Sequence, residues 1–173
     1  MSVARSAEVR SAEVRSAEVR SAEVRSAEAR SAEVRSAEVR SAAVRGAVVR
    51  DGEARRTETP NAVMTTFASP TLGGAAQALW QVEMAPGASG PVHVMDAEQI
   101  WRAVAGGATV HLGGVDEGED VPLAPGDTVV LPAGLVRRIE ADPDAGFTAV
   151  VTGAGGARAC VPGGEPVVPG WIS

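Results

Sequence analysis

Few side chains in this sequence are equipped for chemistry. Of 173 residues two are histidine and one is cysteine, tyrosine is absent, and all 16 basic residues are arginine. His93 stands out. It follows Gly87 after five intervening residues, in Gly87-Ala-Ser-Gly-Pro91-Val-His93-Val-Met95, and the polar cluster Glu98-Gln99 and Trp101 come next. An imidazole titrates near neutrality, so His93 is a candidate general acid, general base or metal ligand. Met95 offers a soft thioether suited to Cu(I), Gln99 a neutral and weak oxygen donor, and Glu98 a carboxylate one residue earlier. Arg137 is a fixed planar cation that repels metals and accepts carboxylates in a bidentate grip. His111 lies in Ala-Thr-Val-His-Leu, where Val110 and Leu112 claim the buried face, so it is expected to point outward. Cys160 has only Arg158 as a charged neighbour and reads as an idle thiol. No Gly-rich phosphate loop, Ser-His-Asp arrangement or cysteine pair is present, and no residue is assigned a catalytic role.

The elements that carry these residues are short and β-prone. From Thr57 onward, strands are predicted at 62–68, 77–84, 92–95, 99–105, 108–112, 121–123, 128–131, 136–140 and 147–152. Between nearly all of them lie turn signals such as Gly73-Gly74, Pro86-Gly87, Gly106-Gly107 and Pro125-Gly126. Close spacing of many strands without a helical period indicates an all-β sandwich or small barrel. In the second strand Trp80, Val82 and Met84 alternate with Leu79, Gln81 and Glu83, which gives one buried face. With aromatics at 3%, the core must rest on Val, Ala, Leu and Ile. The Pro/Gly-rich stretch 162–173, which carries Trp171, is expected to pack across the barrel or a neighbouring subunit.

Residues 6–50 are nine pentads of the type Ser-Ala-Glu-Val-Arg. On a helix each pentad advances about 140° net, so the valines spiral round all sides; on a strand the odd period sends them to both faces. Neither form builds a buried face. The expectation is a low-complexity tail over residues 1–56, helical or disordered, ahead of a barrel domain at 57–173. A third form stays open, because the unit is similar to that of pentapeptide-repeat β-helices, although it has Val where that family has Leu or Phe.

The stretch 87–106 resembles the first motif of the cupin family, G-x5-H-x-H-x3,4-E-x6-G, through Gly87, His93 and Gly106. Gly126-Asp-Thr-Val-Val-Leu-Pro132-Ala-Gly134 resembles the second, G-x5-P-x-G-x2-H-x3-N. The likeness covers about residues 60–155 and implies a double-stranded β-helix, or jelly-roll barrel. In typical members three histidines and a glutamate hold a divalent metal. Here those positions are His93, Met95, Gln99 and Arg137, with Ala141 at the asparagine position. The resemblance implies that His93, Met95, Gln99 and Arg137 converge inside the barrel, with Trp101 as a flat apolar wall. An inward guanidinium in an apolar cavity needs a partner, either a ligand carboxylate or, internally, Glu98 or Asp96; an outward, solvated Arg137 is the competing arrangement.

The expected activity is therefore binding of a small, anionic organic molecule without a cofactor. The alternatives are a metal-dependent cupin of dioxygenase or isomerase type, with His93, Gln99 and Glu98 holding Fe, Mn, Ni, Cu or Zn, and a purely structural dimeric scaffold. The resemblance also implies a homodimer. Nucleic acid is an unsuitable partner: residues 57–173 hold 4 arginines against 13 acids, and the 12 arginines of residues 1–56 are interleaved with 9 acids. A single cysteine, no long apolar run and no apolar segment behind the N-terminal charges lead to the expectation of a cytoplasmic protein away from membranes.

Overall fold

The computed structural model describes residues 46–113 and 118–173. Ala47–Ser173 form one compact unit. The tail's helical, disordered and solenoidal forms concern residues 6–45, which lie outside the described residues.

After a 3-10 turn at Asp51–Glu53 come eleven strands: β1 (Arg55–Glu58), β2 (Val63–Ala68), β3 (Gln77–Met84), β4 (Val94–Met95), β5 (Gln99–Gly106), β6 (Ala108–Leu112), β7 (Glu119–Leu123), β8 (Thr128–Leu131), β9 (Arg137–Ala141), β10 (Phe147–Ala154) and β11 (Ala159–Cys160). All nine strands expected from the sequence are present, with ends displaced by at most two residues. The two missed strands have a physical explanation. β1 is Arg-Arg-Thr-Glu, which shows no apolar alternation because it is a charged edge strand; it also starts inside the stretch that the sequence groups with the tail. β11 is two residues long.

The strands form a six-stranded sheet in the order β1-β2-β3-β10-β5-β8, a three-stranded sheet β7-β6-β9 and the pair β11-β4. All pairings are antiparallel. This is the jelly-roll barrel, and its order follows from strand chemistry. β3 and β5 alternate buried and exposed residues along nearly their whole length, and β10 alternates buried and half-buried ones, so their inner side chains face those of β6 and β9. Trp80, Leu131, Val110, Val151 and Phe147 are almost fully enclosed, each contributing about 1.5–3 kcal/mol by burial. Among the described residues no helix is long and apolar enough to cross a membrane.

Gly106 shows why the motif glycines are needed. It turns the chain from β5 into β6 at φ +67°, and a Cβ there would overlap the carbonyl oxygen of Gly146. The C-terminal segment packs across its own barrel. Ile172 is fully buried, Thr66 Oγ1 donates to the Trp171 carbonyl at 2.8 Å, and Ser69 Oγ donates to the Ser173 carbonyl at 2.7 Å.

Candidate functional site

Two strands bring the motif residues together. The backbones of His93 and Arg137 exchange hydrogen bonds, each N–H donating to the other's carbonyl at 2.9 Å. Residues directly opposed in an antiparallel pair send their side chains to the same face. On β9, Arg137, Ile139 and Ala141 are buried while Arg138 and Glu140 are half-buried. Arg137 therefore points inward.

Its environment is unusual. The guanidinium has no solvent-exposed surface. Nη1 donates to the Leu135 carbonyl at 3.1 Å, Nη2 donates to Gln99 Oε1 at 3.0 Å, and Nε has no partner. Among the described residues no carboxylate forms an ion pair with it. Burial lowers its pKa to about 10, which leaves it charged at neutral pH. The internal partner is thus neither of the acids considered from the sequence. Asp96 accepts instead from the Arg158 N–H at 2.7 Å, and Glu98 is exposed.

Gln99 is the hinge of the arrangement. Its Oε1 also accepts from Trp101 Nε1 at 3.2 Å. Arg and Trp side chains only donate, so the amide oxygen must face both of them and the orientation of the amide is fixed. What Gln99 can offer elsewhere is its Nε2 donor. His93 Nδ1 lies 2.9 Å from the Pro91 carbonyl, which only accepts, so Nδ1 carries the proton and Nε2 keeps a lone pair. Burial, and secondarily the charge of Arg137, lower the His93 pKa against the opposing effect of the Pro91 bond. The ring is neutral at pH 7.

His93, Met95, Gln99 and Trp101 all line one cavity of about 360 Å³. Arg137 is absent from its wall: it sits behind Gln99 and acts on the cavity through that amide and through its field. Glu98 is outside. The walls also include Trp80 and Met84 from β3, Met64 from β2, and Trp171 from the C-terminal segment, none of which the sequence marks as site residues. For Trp80 and Met84 the signal was the β3 alternation, which reports an inner face without separating core from cavity wall. His111 is half-buried on the outer side of β6, with Nδ1 2.5 Å from Asp120 Oδ1. Cys160 Sγ donates to the carbonyls of Val161 and Gly164.

The residues present do not fit a divalent metal. Its ligand set would be one imidazole nitrogen, a thioether and an amide whose oxygen is already held by two donors, with a buried cation directly behind. Among the described residues, no group of three or more His, Cys, Asp or Glu stands close enough to hold a metal ion.

No curated protein matches the sequence. Solved structures do match the fold. Oxalate decarboxylase from Bacillus subtilis is 16% identical, with a TM-score of 0.53 over 60% of this chain and 28% of that one; a related structure of it concerns its Mn(II) centres. Vicilin from Solanum melongena is 18% identical, with a TM-score of 0.54 over 65% of this chain and 33% of that one. A second vicilin structure (17% identical, TM-score 0.53, 65% of this chain and 32% of that one) describes different anionic ligands in structurally similar pockets. The chain spans a third or less of the length of these proteins. Within the barrel, from Trp80 on β3 to Thr152 on β10, residues 80–152 match the family model of the cupin domain.

Proposed function

We propose that the barrel binds a small organic molecule bearing an anionic head group, with no resident metal. One observation carries this reading: Arg137 is a fully buried cation that lacks a carboxylate partner among the described residues. An uncompensated charge in the interior is costly. An anion seated in the cavity against Gln99 Nε2 offsets it across a single amide, which passes the polarisation of the guanidinium on to the ligand. The remaining walls are largely apolar, as a site for a compact organic body requires. The anionic ligands described for vicilin pockets lend support from a distant relative.

A thermal-shift titration with small carboxylates tests this, since a ligand that binds only the folded state at a hundred times its Kd adds about 2.7 kcal/mol of stability. The expected result is stabilisation by several degrees in the wild type and little or none in Arg137→Met. No stabilisation by any carboxylate, or equal stabilisation of the variant, would sink the reading.

A further inference from the structure

The chain has three tryptophans and four methionines, and all three tryptophans and three of the methionines line this cavity. The two phenylalanines do not. Phe147 is buried in the core and Phe67 is half-buried on β2. Large aromatics that serve packing alone fill space. Here all three indoles border a space instead.

Their placement is specific. Trp80 on β3 and Trp101 on β5 both pair in register with Val151 of the intervening β10, so they flank that strand on its inner face. Two residues further along β10 is the buried Gly153. A Cβ there would lie 3.3 Å from Gln99 Cγ and 3.8 Å from Trp80 Cη2. The nearest atom to that Cβ would be the Glu98 carbonyl oxygen at 3.1 Å, so the glycine gives room to the start of β5 beside the stem of the amide. On the other side, the Trp101 N–H is taken up by Gln99 Oε1 at 3.2 Å, which leaves Trp101 only its π surface for a ligand. Both strand-borne indoles therefore begin where the polar head site ends. Trp171 adds a third ring from the C-terminal segment, and Met64, Met84 and Met95 add polarisable sulfur, which favours aromatic partners.

From this we infer that the ligand is a planar aromatic carboxylate of one or two rings. The inference rests on the anion reading above and adds the class of its apolar body. The head meets Gln99 Nε2 in the field of Arg137. The ring meets Trp80 and Trp101 beside that head. A cavity of about 360 Å³ is at the small end of those that hold organic ligands, which sets the limit at two rings.

The test is a titration of the full chain, read by tryptophan emission and by thermal shift, with benzoate, 2-naphthoate, cyclohexanecarboxylate and benzamide. Benzoate or 2-naphthoate is expected to bind at least tenfold more tightly than either of the other two and to change the tryptophan emission. In Trp171→Leu, a half-buried position outside the strands, the aromatic acids are expected to lose several-fold in affinity while cyclohexanecarboxylate stays unchanged. If cyclohexanecarboxylate binds as well as benzoate, the aromatic class is wrong and the anion reading stands. If benzamide binds as well as benzoate, the anion reading is wrong and only the aromatic half survives. Absence of binding by all four compounds overturns both.

Discussion

Gln99 Oε1 accepts a hydrogen bond from Arg137 Nη2 at 3.0 Å, joining two residues 38 positions apart that come from the two different cupin motifs. The resemblance to the cupin motifs implies that residues at these positions meet through a metal that both hold. In this chain they hold each other directly. The substitution is coherent as a pair: glutamine supplies a neutral acceptor, arginine a permanent donor, and Trp101 closes the second lone pair of the amide at 3.2 Å. The barrel keeps the convergence of its motifs, and the chemistry at that point becomes a fixed donor in a positive field.

This coupling predicts an asymmetric mutational response. Gln99→Leu strands a buried guanidinium and an indole N–H, and is expected to cost about 2–4 kcal/mol in urea unfolding. Arg137→Met removes the charge while Gln99 Oε1 keeps Trp101, and is expected to cost less than about 1.5 kcal/mol or to stabilise. The double variant should then be more stable than Gln99→Leu alone, with a coupling of about 1–3 kcal/mol. Single effects that add to within about 0.5 kcal/mol would show that the two residues do not act as a unit.

His93 predicts a second, pH-dependent behaviour. Its folded-state pKa is depressed below 6.5 by burial first and by Arg137 as well. Between that depressed value and 6.5 the unfolded chain binds the extra proton, so stability rises with pH across this window. The contribution is intact above about 6.5 and declines as pH falls through the window. Asp142 does not confuse the measurement. Its carboxylate accepts from the N–H groups of Ala145 and Asp144, which lowers its pKa below 3.8, so its own loss comes at more acid pH. Unfolding free energies of wild type and His93→Gln, measured from pH 7 to pH 5, should draw together as the wild type loses stability that the variant does not. Parallel curves would mean that His93 is not the group responsible.

Much of this was legible in the sequence because it is written in short-range patterns. Alternation along β3 gives the inner face of Trp80, Val82 and Met84 from a two-residue period, whereas the direction of Arg137 stays open between inward, as the cupin resemblance implies, and outward. The partner of Arg137 was not legible. Asp96, Glu98 and Gln99 are neighbours in sequence, and what decides among them is which side of β5 each reaches: Gln99 is the first inward residue of the strand, and Glu98 precedes it in the turn, exposed. The part played by Trp171 was also hidden, since it depends on the Thr66 and Ser69 hydroxyls more than a hundred residues away. Gly153 is the quietest case. Nothing in Thr-Gly-Ala signals that a Cβ there would crowd the Glu98 carbonyl oxygen and the stem of Gln99.

The motif glycines allow a final prediction, because identical substitutions in two of them should differ widely. Gly106 and Gly134 both have positive φ, +67° and +76°, so alanine at either meets the left-handed strain of about 1–2 kcal/mol. At Gly134 the space a Cβ would take is open within 4 Å, and strain is the only cost. At Gly106 the Cβ would collide with the Gly146 carbonyl oxygen and lie 2.7 Å from its carbon, both backbone atoms that cannot rotate aside. The same junction is held by the Gly107 N–H donating to the Gly146 carbonyl at 2.9 Å and the Asp142 N–H donating to the Gly107 carbonyl at 2.8 Å. Relief of the clash must therefore move β5, β6 and β10 together. Gly134→Ala is expected to lower stability by about 1–2 kcal/mol, and Gly106→Ala by about 3 kcal/mol or more, enough to threaten folding. Thermal unfolding of the two variants side by side decides the matter: similar melting temperatures would mean that the β5–β6 turn is far more yielding than its backbone contacts imply.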